Sequence, residues 1–169
     1  WGLANLTGWW TSVTAGDFDG DGRMDLACGN WGRNTVYELY QPTAYRLCYG
    51  DWNSDGAVQM IESWRSGTNW VPVHDRAWLE RGFPKLSVQF PTHQAFGQAT
   101  VRDILGLAFE KCSFLEAAQL SSMVLLHRGA RFEAVPLPRE AQLTPTFSMN
   151  VGDVDGDGIE DLFCSQNFF

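Results

Sequence analysis

One loop pattern occurs twice in this chain, identical at nine of thirteen positions, and it constrains the fold more than any other feature. Gly16-Asp17-Phe18-Asp19-Gly20-Asp21-Gly22-Arg23-Met24-Asp25-Leu26-Ala27-Cys28 returns as Gly152-Asp153-Val154-Asp155-Gly156-Asp157-Gly158-Ile159-Glu160-Asp161-Leu162-Phe163-Cys164, every matched position 136 residues on. A weaker copy, Gly50-Asp51-Trp52-Asn53-Ser54-Asp55-Gly56-Ala57-Val58-Gln59-Met60, starts 34 residues after the first and carries Gln59 where the others carry an acid. Internal repetition of a short unit implies a fold that uses one supersecondary element several times.

The flanks of the loops read as strands. Residues 9–15, 24–28, 35–40, 45–49, 58–64, 123–127, 132–135 and 162–165 are short, rich in β-branched and aromatic residues, and bounded by Gly, Asn, Asp or Pro. Many short strands with regular turn signals suggest a sandwich, barrel or propeller, and repetition of one hairpin unit favours the propeller. The turn spacing lapses from Pro72 to about Ala118. There Thr92 can cap a helix with Phe96, Val101, Ile104 and Leu105 on its apolar face, ending near Gly106, and residues 109–120 offer an ambiguous second helical stretch. The expected fold is all-β: β-propeller blades forming a partial propeller, with a mainly helical insertion. Its stretches are 1–71 (blades with two acidic loops), 72–120 (insertion) and 121–169 (a blade with the third loop). A closed propeller needs more blades than this length supplies, so the rest of the propeller is expected to lie outside the chain.

The loops point to calcium. In Asp-x-Asp-x-Asp-Gly-x-x-Asp, positions one, three and five can turn carboxylates inward, position seven offers a backbone carbonyl, position nine closes the cage, and glycine at six permits the turn. The ligand sets are Asp17, Asp19, Asp21, the Arg23 carbonyl and Asp25; Asp153, Asp155, Asp157, the Ile159 carbonyl and Asp161; and, incomplete, Asp51, Asn53, Asp55 and the Ala57 carbonyl. Unit charges about 4 Å apart interact by about 4 kcal/mol at an effective dielectric near 20, so converging carboxylates call for a cation. Oxygen-only donors in a flexible loop favour Ca²⁺ over Zn²⁺ or Mg²⁺. An EF-hand is excluded, because its bidentate Glu would fall on Cys28 and Cys164 and the flanks are strand-like. The plain alternative is that Asp-Gly pairs here only make tight turns.

These residues resemble FG-GAP/VCBS repeats of integrin α-chain propellers and bacterial surface proteins, nearest to the ASPIC/UnbV, cartilage-acidic-protein-like group. The residues that carry the likeness are Ala15–Gly22 with Asp25-Leu-Ala-Cys-Gly-Asn-Trp-Gly32, Tyr49–Gly56 and Gln166-Asn-Phe-Phe169; residues 72–76, 81–84 and 103–106 are similar to the insertion of long bacterial members. The resemblance implies propeller blades, Ca²⁺ in the loops, an extracellular, cell-surface or periplasmic protein, and adhesion to a protein or glycan ligand.

Composition removes other classes. A formal net charge of −8 leaves no basic stripe for nucleic acid. No apolar run approaches the roughly 20 residues of a membrane span. The four cysteines, Cys28, Cys48, Cys112 and Cys164, lack metal-ligand spacing and leave free thiols and disulfides both open. Common hydrolase and nucleotide motifs are missing, so no enzyme activity is expected. Two further readings stand beside the scaffold: a carbohydrate-binding module that stacks sugars on Trp31 and Trp52, and a hydrolase using His74 and Asp75 with Arg76 and His93 nearby. His127 sits at the edge of the insertion.

Overall fold

A computed structural model describes residues 1–40 and 44–167. Among the described residues the strands are β1 (Ser12–Gly16), β2 (Asp25–Gly29), β3 (Tyr45–Gly50), β4 (Gln59–Ser66), β5 (Asn69–Pro72), β6 (Ser113–Ala117), β7 (Met123–His127), β8 (Phe132–Pro136), β9 (Thr146–Gly152) and β10 (Asp161–Gln166). The chain is mainly β, with antiparallel pairing in each sheet, and each acidic loop joins two antiparallel neighbours: β1 to β2, β3 to β4 and β9 to β10.

The chain packs as two compact units, Trp1–Gln41 with Ala117–Phe169, and Pro42–Glu116. This division differs from the three stretches drawn from the sequence, since the middle loop falls in the unit that also contains the helices. In the first unit β1-β2-β7-β8 form a four-stranded sheet and β9-β10 a hairpin. The register sets Gly16 opposite Asp25, Leu26 opposite Leu125 and His127 opposite Phe132. Alternation along β2 buries Asp25, Ala27 and Gly29, and β7 buries Met123 and Leu125. Thr11 and Ser12 hydroxyls both donate to the Thr146 carbonyl, at 2.5 and 2.8 Å, fastening the start of β9 beside β1.

Directly after β2, Asn30 is fully buried. Its Nδ2 donates to the Gln119 carbonyl at 3.0 Å and its Oδ1 accepts the Trp31 N–H at 2.8 Å, while Gln142 brackets Ser122 by accepting its N–H and donating to its carbonyl. Buried amides satisfied on both ends fix loops that carry no secondary structure of their own.

In the second unit the sheet order is β5-β4-β3-β6. Cys48 and Ile61 from its central strands meet Leu79, Leu86, Phe96, Ala99, Val101 and Ile104 in one core. The helices that deliver those residues, apart from Ala99 between the last two, are α1 (Arg76–Leu79), α2 (Leu86–Gln89), α3 (His93–Gly97) and α4 (Val101–Leu105).

Several sequence expectations change here. Residues 35–40, read as a strand, form a short 3-10 helix, Val36–Tyr40. The single helix from Thr92 to Gly106 is two, because Thr100 opens a second cap: its hydroxyl accepts the Asp103 N–H and the Asp103 carboxylate accepts the Thr100 N–H, which holds Thr100 extended. The helical option for 109–120 gives way to β6, preceded by a 3-10 stretch, Gly106–Lys111. Strands β5, β6 and β9 form outside the segments that read as strands in the sequence. All four cysteines are free thiols, and burial raises the pKa of Cys28, Cys48 and Cys164. Phe168 and Phe169, the end of the closing stretch, lie outside the described residues.

Candidate metal-binding loops

All three loops are built on one hydrogen-bond skeleton. The carboxylate at position one accepts the N–H of position six: Gly22 to Asp17 at 2.8 Å, Gly56 to Asp51 at 3.1 Å, Gly158 to Asp153 at 3.0 Å. The carboxylate at position five accepts the N–H of position seven: Arg23 to Asp21, Ala57 to Asp55 and Ile159 to Asp157, at 2.9, 2.8 and 2.8 Å. The side chain at position nine accepts the N–H of position two: Phe18 to Asp25, Trp52 to Gln59 and Val154 to Asp161, at 3.1, 2.8 and 2.9 Å. Positions four and six have positive φ in every copy, which glycine accepts without strain; at position four the middle loop places Ser54, with φ 60°.

Position nine is therefore a latch first. Asp25 is completely buried, and its second oxygen accepts the His127 N–H at 2.6 Å, tying the loop to the end of β7. Gln59 keeps the latch without the charge.

The structure gathers one carboxylate oxygen each from Asp17, Asp19 and Asp21 within 4.8 Å of one another, and likewise from Asp153, Asp155 and Asp161. These two clusters could hold a metal, and their all-oxygen, mostly exposed donor sets suit a hard divalent cation. Asp25 and Asp157 are not brought into the clusters. Among the described residues Asp51, Asn53 and Asp55 form no such acidic group, since only two of them are acids. Instead the Gln59 amide donates to Asn53 Oδ1 at 2.9 Å and to Asp55 Oδ1 at 3.4 Å, so an uncharged donor lies among the oxygens of this loop. Asp55 is held below the usual carboxylate range by the Ala57 N–H first and the Asn53 amide second.

Two residues with no sequence signal complete the first loop. Arg128, in the β7–β8 turn, reaches Asp19 at 2.5 Å and Asp21 at 3.6 Å, while its Nε holds Glu133 at 2.9 Å. Its guanidinium is the main reason Asp19 lies below the usual carboxylate range. Glu160, at position eight of the last loop, accepts the Asp17 N–H at 2.5 Å, so the first and last loops are bonded directly. Separations of 109 and 143 residues hide both contacts from any local pattern.

The residues of the other two readings are engaged differently. Trp31 is half-buried, edge-on to Trp9 at 5.8 Å, and Trp52 stacks on Phe83 at 5.6 Å against the core of the second unit. His74 lies flat on Trp78 at 3.8 Å with Nε2 3.0 Å from Glu62, whereas Asp75 caps α1 by accepting the Trp78 N–H at 2.8 Å. His127 bonds the Gly129 carbonyl at 2.9 Å.

Residues 9–38 match the FG-GAP repeat family. This span contains the whole first loop, both of its strands and the buried Asn30. The match does not extend to the narrower ASPIC/UnbV group. No significant match was found among curated proteins or among solved structures. An FG-GAP repeat suggests an integrin-like or β-propeller scaffold, and a protein-interaction module. Among the described residues no helix is long and apolar enough to cross a membrane.

Proposed function

We propose that this chain is a calcium-stabilised β-propeller segment that presents a binding or adhesion surface to a protein or glycan ligand outside the cytoplasm. The observation that carries the reading is the common skeleton of the three loops, two of which converge three carboxylates on one point. Hydrogen bonds from loop N–H groups satisfy part of that negative charge and leave the rest for a cation. The FG-GAP match over the first loop, and the four-stranded antiparallel sheet on which that loop sits, support the propeller assignment.

In this reading calcium is structural. Asp17, Asp19 and Asp21 would hold one ion and Asp153, Asp155 and Asp161 another, and its charge would offset the repulsion among carboxylates in a loop whose hydrogen bonds already join the two strands of its hairpin. A ligand that binds only the folded state adds about 2.7 kcal/mol at a hundredfold excess over its Kd. Thermal melts with excess Ca²⁺ and with chelator, repeated for Asp19→Asn combined with Asp155→Asn, test this. A calcium-dependent rise in Tm that the double variant loses is expected; an unchanged Tm in the parent chain reduces the loops to turns.

A further inference from the structure

The first and last loops share a sequence pattern and a skeleton, yet among the described residues only the first has arginines beside its carboxylates: Arg23 at position seven, where the last loop has Ile159, lies 3.2 Å from Asp21, and a second arginine comes from outside the loop. Arg128 lies over the first. Its Nη1 is 2.5 Å from Asp19 and 3.6 Å from Asp21, two of the three carboxylates in that cluster. At the last loop, among the described residues, no Arg or Lys comes within ion-pair distance of Asp153, Asp155 or Asp161. The middle loop is a third case, with the Gln59 amide among its oxygens.

Arg128 is not there by chance of side-chain reach. The latch between Asp25 and the His127 N–H fixes the end of β7 against the first loop, and Arg128 is the next residue. Its own N–H bonds the Arg131 carbonyl at 2.8 Å, closing the turn to β8, and Glu133 on β8 holds its Nε from the other side. The guanidinium is therefore oriented before any metal arrives.

We infer that Arg128 is a built-in competitor for the cation of the first loop, so that the two full loops bind calcium with unequal affinity, the last loop more tightly. This inference rests on the calcium reading above. To bind in the first loop a divalent ion must displace the guanidinium from Asp19 and Asp21 and tolerate its positive charge nearby, whereas the last loop imposes neither cost. Arg128 is a tuning residue and not a ligand. Its side chain is about one-third exposed, so it can swing into solvent without unfolding the turn.

The test is calcium titration by calorimetry on the whole chain, with the last loop disabled by Asp153→Asn and Asp155→Asn so that the first is read alone. Arg128→Gln in that background is expected to raise affinity roughly three- to tenfold, and Arg128→Lys, which keeps the charge, to stay near the parent value. In a chain with the first loop disabled by Asp19→Asn and Asp21→Asn, Arg128→Gln should leave the affinity of the last loop unchanged. Binding at the first loop that is unaltered or weakened by Arg128→Gln overturns the inference while leaving calcium binding intact. Absence of binding at either loop in every variant overturns the calcium reading and this inference with it.

Discussion

The carboxylate of Asp25 accepts the backbone N–H of His127 at 2.6 Å, 102 residues along the chain, and accepts the N–H of Phe18 with its other oxygen. A residue whose place in the loop offers it as a metal ligand is thus also a buried acceptor of two backbone N–H groups. Replacing it with alanine leaves two partly buried N–H groups without their acceptor. Asp25→Ala is expected to lose about 3 kcal/mol, against about 1 kcal/mol for Asp161→Ala at the equivalent, exposed position. Urea unfolding of both variants checks the contrast; equal losses would contradict it.

Gln59 supplies the same latch from an amide, and its NH₂ group occupies the middle loop. Gln59→Asp removes that donor and adds a third acid to Asp51 and Asp55. With the other loops disabled by Asp19→Asn and Asp155→Asn, the variant should gain a calcium-dependent rise in Tm that the Gln59 chain lacks. No gain would mean that the amide is not what distinguishes this loop.

Ser54 stands where the other two loops have glycine, at φ 60°. A Cβ in the left-handed region costs on the order of 1 kcal/mol, partly offset by the greater freedom glycine has when unfolded. Ser54→Gly should raise the urea midpoint slightly, with the slope of the transition unchanged.

Gly29 has no room for a side chain. A Cβ there would lie 2.2 Å from Ser12 Oγ and 2.4 Å from the Thr146 carbonyl, and the second is backbone that cannot rotate away. Gly29→Ala should cost roughly 1–3 kcal/mol or more, measured by thermal melt, and should loosen β9 from β1.

Asp103 is held below the ordinary aspartate value of about 3.9, first by the Thr100 N–H and then by its hydroxyl. A carboxyl group whose folded pKa is depressed stabilises the fold fully above its unfolded pKa, and that contribution is lost as pH falls through the folded value. The stability gap between the parent chain and Asp103→Asn should hold from neutral pH to about 4 and close below it. A gap that persists unchanged in stronger acid would assign the effect to shape and not to charge.

The sequence by itself determined the three loops, the strands that flank them and the residue types able to meet a hard cation. Those features are local: a turn that needs glycine at fixed offsets, and β-branched or aromatic runs of strand length, are written in neighbouring residues. The two caps at Thr92 and Thr100 were equally local, although the second became visible only once Asp103 was seen to reach back to it. Tertiary structure alone decided what each loop does with its charge. It turned Asp25 inward to His127, placed Arg128 over Asp19, bonded Glu160 to Asp17 and grouped the middle loop with the helical segment. Residues 113–117 took their strand conformation from β3, distant in sequence, whereas 35–40 turned on a local signal that the strand reading passed over, the Thr35 hydroxyl and carbonyl accepting the Tyr37 and Glu38 N–H groups. The physical reason is the same throughout: a carboxylate interacts with whatever donor or cation the fold brings within about 3 Å, and that partner is chosen by the pairing of strands far apart in the chain.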